Sequence, residues 1–175
     1  GESGPADVAI VGGGVAGLSA ALEAKRWGLR FVVFEASQPF ATIVNFPKRK
    51  LIFTYPTDMK VAGELALKAD VKEDLVAELE AQRIAAGIET KSVRIQKLER
   101  KGDLIHLHHE GGEPFKARRV IVAIGRSGNH RKLNVPGEAK DKVSNRLHDP
   151  AEFAGRKTLV VGGGDSAVEA AVALQ

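Results

Sequence analysis

Cysteine is absent from the 175 residues. That excludes disulfides, thiolate metal sites and an internal thiol–disulfide relay within this stretch, and it fits a reducing cytoplasm, where disulfides are rare. Aromatics are scarce, at 5% with one Trp and one Tyr, so the basic-plus-aromatic pattern of a nucleic-acid surface is missing and no nucleic-acid partner is expected. No apolar run is long enough to span a membrane. The longest, residues 8–22, is rich in glycine and ends at Glu23, short of the roughly 20 apolar residues a span needs. The opening Gly1-Glu2-Ser3-Gly4-Pro5 lacks a charged region followed by an apolar stretch, and reads as an added remnant or flexible leader rather than a targeting signal.

Charge of one sign is not concentrated either. The net charge is +4 and the isoelectric point near 9.4, yet acids and bases are interspersed. The densest basic run, Lys48-Arg49-Lys50, reads as a solvated loop, and attraction to an acidic protein partner stays open. His106 and His108 alternate with Ile105 and Leu107. On a strand they share one face, and without a third ligand they read as a polar outer face, so no metal site is expected.

Against these absences stand 19 glycines and two fingerprints built from them. The first runs Val8-Ala9-Ile10-Val11, then Gly12-Gly13-Gly14-Val15-Ala16-Gly17, then a helical pattern to Trp27. The second runs Thr158-Leu159-Val160-Val161, then Gly162-Gly163-Gly164-Asp165-Ser166-Ala167. Each matches G-x-G-x-x-G/A between a strand and a helix, the fingerprint of a dinucleotide-binding turn. In the first copy Gly12 permits the sharp turn, Gly14 removes a β-carbon where a pyrophosphate approaches, and Gly17 lets helix and strand pack closely. The free amides of the first helical turn face the anion, helped by the helix dipole. The strand Arg30-Phe31-Val32-Val33-Phe34 ends in Glu35, 23 residues after Gly12, close to the spacing expected for a ribose-binding acid. In the second copy Ala167 replaces the third glycine, and Asp165 and Ser166 stand where a side chain caps the helix. Two such turns predict two dinucleotides on one polypeptide, and hence redox chemistry. The residue that separates NAD from NADP is expected about 20 positions after Gly162, past Gln175, so the chain reads as a piece of a longer protein.

Between the fingerprints the pattern predicts further elements. Asp70 and Glu73 form a capping pattern opening a helix with Val71, Leu75, Val76, Leu79 and Ile84 on its apolar face, stopped at Gly87. Residues 88–90 read as a strand. Residues 93–98, 104–109 and 114–116 read as a small antiparallel meander, turned at Lys101-Gly102-Asp103 and Gly111-Gly112. Residues 119–124, with the run Val120-Ile121-Val122-Ala123, read as a strand buried on both faces and ending at Gly125. The polar stretch 126–132 reads as a crossing between domains.

This order of elements resembles the thioredoxin-reductase-like flavoproteins of the pyridine nucleotide-disulfide oxidoreductase superfamily. The resemblance rests on the loop at 8–17, Glu35, Asn45-Phe46-Pro47, Ala123-Ile124-Gly125, Val135-Pro136-Gly137-Glu138 and the loop at 160–167. It implies an α/β fold: a Rossmann-like, three-layer FAD-binding domain with a small antiparallel β meander over 1–130, followed at 131–175 by the start of a second Rossmann-like, NAD(P)-binding domain. It further implies that backbone at Gly12, Gly14, Val15, Ala16 and Gly17 holds the FAD pyrophosphate and Glu35 its ribose. Ala36, Val93, Ala123, Gly125 and Asn45 complete the flavin-side set, with Asn45 near the isoalloxazine. Gly162, Gly164, Asp165, Ser166 and Ala167 are expected to meet NAD(P)H.

Thioredoxin reductases proper carry Cys-x-x-Cys before the second glycine loop, whereas residues 143–150 here read Val-Ser-Asn-Arg-Leu-His-Asp-Pro. The chain therefore resembles the cysteine-free branch, which includes ferredoxin–NADP reductases. The implied activity is an NAD(P)H-dependent FAD oxidoreductase, in which hydride passes from nicotinamide to flavin and electrons leave for an external acceptor such as ferredoxin. The hydride step needs no side-chain acid or base, and His148 reads as a surface residue rather than a proton donor. Flavin-only reduction of a small disulfide, and a nucleotide-binding fragment without turnover, remain as alternatives. The family implies a homodimer, and the missing cysteines are what point to the cytoplasm.

Overall fold

The computed structural model describes residues 4–53, 61–126 and 132–175. Strand β1 (Ala6–Val11) leads through helix α1 (Val15–Arg26) to β2 (Phe31–Glu35). A single-turn helix α2 (Ala41–Val44) and helix α3 (Lys72–Ala85) precede β3 (Thr90–Ser92), β4 (Ile95–Lys101), β5 (Leu104–His109) and β6 (Phe115–Val122). A 3₁₀ turn (Pro150–Phe153) and helix α4 (Asp165–Ala173) close the chain. The strands form one sheet in the order β3-β2-β1-β6-β5-β4. β1 is parallel to both β2 and β6, β2 is parallel to β3, and β4 and β5 are antiparallel additions. This is a Rossmann-like sheet with β1 at its centre, and helices cross from strand to parallel strand as such pairing requires.

Two cores sandwich the sheet. On one face Ile10 and Val33 meet Leu18 and Ala21 of α1 and Leu75 and Leu79 of α3. On the other, Ala9 and Phe34 meet Leu107, Ala117, Val93 and Phe115. The Phe34 and Phe115 rings lie 4.7 Å apart between centroids, and Lys91 Nζ sits 5.2 Å over Phe115. These contacts join strands that are not neighbours in the sheet, so the start of β6 and the β4–β5 hairpin fold back as a third layer.

Both long helices of this region stop at glycine in a Schellman motif. Gly28 (φ 64) follows α1, with Gly28 N–H donating to Lys25 and Leu29 N–H to Ala24. Gly87 (φ 63) follows α3, with Gly87 N–H donating to Ile84 and Ile88 N–H to Arg83. The second motif explains why the strand expected at 88–90 begins two residues later. Ile88 is spent closing the helix and is buried at 2%.

Other expectations are corrected. Asp70 does not cap α3: Val71 is the N-cap, without a side-chain cap, and Glu73 instead accepts from the Arg49 amide at 3.2 Å. Ile84 leaves the apolar face of α3 and is 63% exposed, since helical geometry carries it round from Leu75 and Leu79. The third meander strand and the strand at 119–124 are one element, β6. Its first part pairs with β5 and its second with β1. Nor is its apolar end buried on both faces, because no described element covers Ile121 and Val122, which remain exposed. The run 158–161 is not a strand; no described strand pairs with it, and Leu159 and Val161 are exposed. The expected crossing at 126–132, and with it the boundary at residue 130, lies outside the described residues except for Arg126 and Lys132.

The basic run is not a free loop either. Lys48 pairs with Asp149 at 2.5 Å, Lys50 pairs with Glu169 of α4, and the Lys48 amide donates to the His148 carbonyl at 2.8 Å. Residues 48–50 thus tie the C-terminal part of the chain to the sheet-bearing part. The Lys48–Asp149 pair favours its ionised form: the hydrogen bond from Lys48 holds the Asp149 carboxyl below its usual range, and Asp149 raises Lys48.

Candidate functional site

The site is built at the C-terminal end of β1, where the chain turns into α1. Gly12 takes φ 115, and a β-carbon there would lie 2.3 Å from the Ala123 carbonyl oxygen, so only glycine lets the two segments pass. Ala123 is held in place by donating to the Val11 carbonyl at 2.7 Å. A β-carbon at Gly17 would lie 1.9 Å from the Gly12 carbonyl oxygen, a clash of helix against turn. At Gly14, the N-cap of α1, a β-carbon would meet nothing within 4 Å. Glycine is therefore required by the fold at 12 and 17. At 14 the fold leaves room, the arrangement expected where a ligand, not the protein, comes close.

The loop's polar groups divide in the same way. The Gly12 amide donates to the Phe34 carbonyl at 2.7 Å, and the Gly14 carbonyl accepts from Leu18 at 2.9 Å. The Gly13 amide donates to Glu35 Oε2 at 2.6 Å, and Glu35 Oε1 accepts from the Ser37 amide at 2.9 Å and the Ser37 hydroxyl at 3.2 Å. The amides of Gly14, Val15 and Ala16 have no acceptor among the described residues. No acidic side chain occupies the first turn of α1, and Lys25 and Arg26 stand in its last turn, so the positive end of the helix dipole is left for an anion.

The structure brings Gly12, Gly14, Val15, Ala16, Gly17, Glu35 and Ala123 together at this corner. Val93 joins them by donating to the Glu35 carbonyl at 2.9 Å, and it lines a cleft of about 270 Å³ with Ser92, Arg94, Gln96, His109 and Glu110. Ala36 is an exposed bend after Glu35. Asn45 ends α2, its amide donating to Ala41. Gly125 turns the chain with φ 64. Sequence reasoning missed Gly13, which anchors Glu35, although the unbroken glycine triplet signalled it. It also missed Phe40, whose amide donates to the Gly13 carbonyl at 3.1 Å and which no sequence pattern marks.

The second corner is looser. Gly162 takes φ 141, and its missing β-carbon would lie 3.2 Å from the Ala167 β-carbon, so the wider turn admits alanine where the first corner demands Gly17. Gly164 is the N-cap of α4 without a side-chain cap. Asp165 and Ser166 are thus helical rather than capping, and Asp165 acts on the dipole from the first turn. Nothing approaches within 4 Å of the missing β-carbon at Gly163 or Gly164. His148 is exposed. Among the described residues no cluster of acids and histidines has metal-binding geometry, His108 instead meeting Glu99 at 3.0 Å, and no helix is long and apolar enough to cross a membrane.

Comparison with known proteins places this corner in context. Residues 9–175 match the family described as pyridine nucleotide-disulphide oxidoreductase. A ferredoxin–NADP reductase of Ignicoccus hospitalis is 35% identical over 169 residues, covering 96% of this chain and 52% of the relative. A thioredoxin reductase of Helicobacter pylori is 32% identical, covering 96% and 51%. The bacillithiol disulfide reductase of Bacillus cereus superposes with a TM-score of 0.83 at 24% identity, over 98% of this chain and 55% of that one. The chain thus spans about half the length of these relatives.

Proposed function

Because the chain belongs to the pyridine nucleotide-disulphide oxidoreductase family, we propose that it binds FAD on the first glycine loop and serves an NAD(P)H-dependent flavin oxidoreductase. The observation that carries this reading is the corner at Gly14: open space where a β-carbon would stand, beside three unpaired amides and the Glu35 carboxylate. That combination fits a dinucleotide diphosphate with its ribose on the acid. In this arrangement Gly14, Val15 and Ala16 donate to the diphosphate, Gly12 and Gly17 keep the turn closed, and Glu35 accepts from the ribose hydroxyls. Ala36 and Val93 border the adenosine end, and Asn45, Ala123 and Gly125 the flavin end. When bound, FAD supplies the redox chemistry, taking hydride from a nicotinamide and releasing electrons to an acceptor.

Residues 1–130 form the FAD-binding unit in this proposal. Residues 131–175 begin the NAD(P)-binding unit, with Gly162, Gly164, Asp165, Ser166 and Ala167 at its phosphate turn. In this reading electrons pass to an external acceptor, and the name of the Ignicoccus relative favours a ferredoxin-type protein. A cytoplasmic homodimer belongs to the same reading. The test is direct: full-length protein is yellow, bleaches anaerobically with NADH or NADPH, and reduces ferredoxin faster than low-molecular-weight disulfides, while sedimentation gives a dimer. A colourless protein that cannot be reconstituted with FAD overturns the proposal.

A further inference from the structure

Three non-glycine residues among those described have left-handed backbone: Phe40 (φ 56), Arg49 and Asn134. Of these only Phe40 is buried, at 2% exposure. A bulky residue rests in this region only where its surroundings hold it, and here they do. The ring lies in the core with Leu18, Ile43 and Leu65, the carbonyl accepts from Ile43 at 2.9 Å and Val44 at 3.0 Å, and the amide donates to the Gly13 carbonyl at 3.1 Å.

That last bond reaches the phosphate corner. The Gly13 carbonyl and the Gly14 amide belong to one planar trans peptide, so they point in opposite directions. Fixing the carbonyl on Phe40 therefore turns the Gly14 N–H away from Phe40, where it meets no acceptor among the described residues. Glu35, gripping the Gly13 amide one peptide earlier, blocks rotation from the other side. We propose that Phe40 is a positioning residue for the anion-binding loop: its left-handed backbone, held by its buried ring, sets the direction in which the Gly14 amide is presented to a dinucleotide phosphate. This rests on the FAD reading above and names a residue that acts through backbone rather than by touching the ligand.

The test compares Phe40→Gly with Phe40→Ala in the full-length protein. Both lose the ring, so both lower the apoprotein melting temperature to a similar extent. Only glycine keeps the left-handed backbone without the ring to hold it. FAD affinity is expected to stay near wild type in F40G and to weaken about fivefold or more in F40A. Equal weakening in both variants overturns the proposal, because affinity would then follow lost core volume. Amide hydrogen exchange gives a readout without FAD: the Phe40 amide is protected in wild type and in F40G and loses protection in F40A. An unprotected Phe40 amide in wild type also overturns it. If wild-type protein shows that protection pattern yet binds no FAD, the FAD reading fails while the loop geometry stands.

Discussion

Gly17 and the Gly12 carbonyl approach so closely that a β-carbon on Gly17 would lie 1.9 Å from the oxygen, whereas Gly14, three residues earlier, faces open space. Two glycines of one motif are therefore expected to fail differently. Gly17→Ala must shift backbone against backbone and is expected to cost about 3 kcal/mol or more of folding stability, the upper end for overpacking. Gly14→Ala, which meets no obstruction but changes the N-cap of α1, is expected to change apoprotein stability by no more than about 1 kcal/mol, while weakening FAD about tenfold. Urea denaturation and FAD titration of both variants decide it. A Gly14→Ala protein as unstable as Gly17→Ala would remove the distinction.

Glu35 serves the loop before any ligand arrives, by accepting from Gly13 and Ser37. Glu35→Ala strands the Gly13 donor and is expected to cost about 1–3 kcal/mol. Glu35→Gln keeps an oxygen for Gly13 and is expected to stay nearer wild type in stability while losing dinucleotide affinity. Calorimetry on both variants checks the split, which disappears if Glu35→Gln is as unstable as Glu35→Ala.

Leu79 is fully buried beneath α3, and Ile84 on the same helix is 63% exposed. Leu79→Ala is expected to destabilise by about 2–5 kcal/mol and Ile84→Ala by less than about 0.5 kcal/mol. Chemical denaturation that ranks them equally would contradict the helix orientation described above.

The Lys48–Asp149 pair predicts a pH dependence. Asp149 ionises more readily folded than unfolded, so its contribution is complete above the unfolded value of about 3.9 and is lost as pH falls through its lower folded value. Lys48→Met is expected to lower the melting temperature near neutral pH, with the gap from wild type closing below about pH 3.9. A gap that stays constant from pH 6 to pH 2 would show that the pair contributes no linkage.

Legibility from sequence followed how locally each feature is determined. The geometry of the first glycine corner could be read because the turn, the helix and the Glu35 that accepts from Gly13 are set within two dozen residues. The α3 stop at Gly87 was equally local. The strand at 158–161 was overread: its apolar pattern is strand-like, but a strand needs a partner, and none among the described residues supplies one. The fusion of the third meander strand (114–116) with the run at 119–124 was hidden because the two apolar patterns are separated by Ala117 and Arg118. The ladder passes from β5 to β1 at Ala117, so β6 continues without a break. Pairing of the basic run with Asp149 and Glu169 was invisible, since about a hundred residues separate the charges and no local pattern joins them.

β6 also has a kinetic consequence. The carbonyl that Gly12 must clear belongs to Ala123, and β1 finds its partner strand roughly 110 residues downstream, a separation that slows folding. During synthesis the first corner has its local partners Phe34, Glu35 and Phe40 early, but lacks the β6 side of its packing until the ribosome has delivered that strand. The contact between the Gly12 turn and Ala123, though one side of it is encoded near the start of the chain, is among the last parts of this sheet to form.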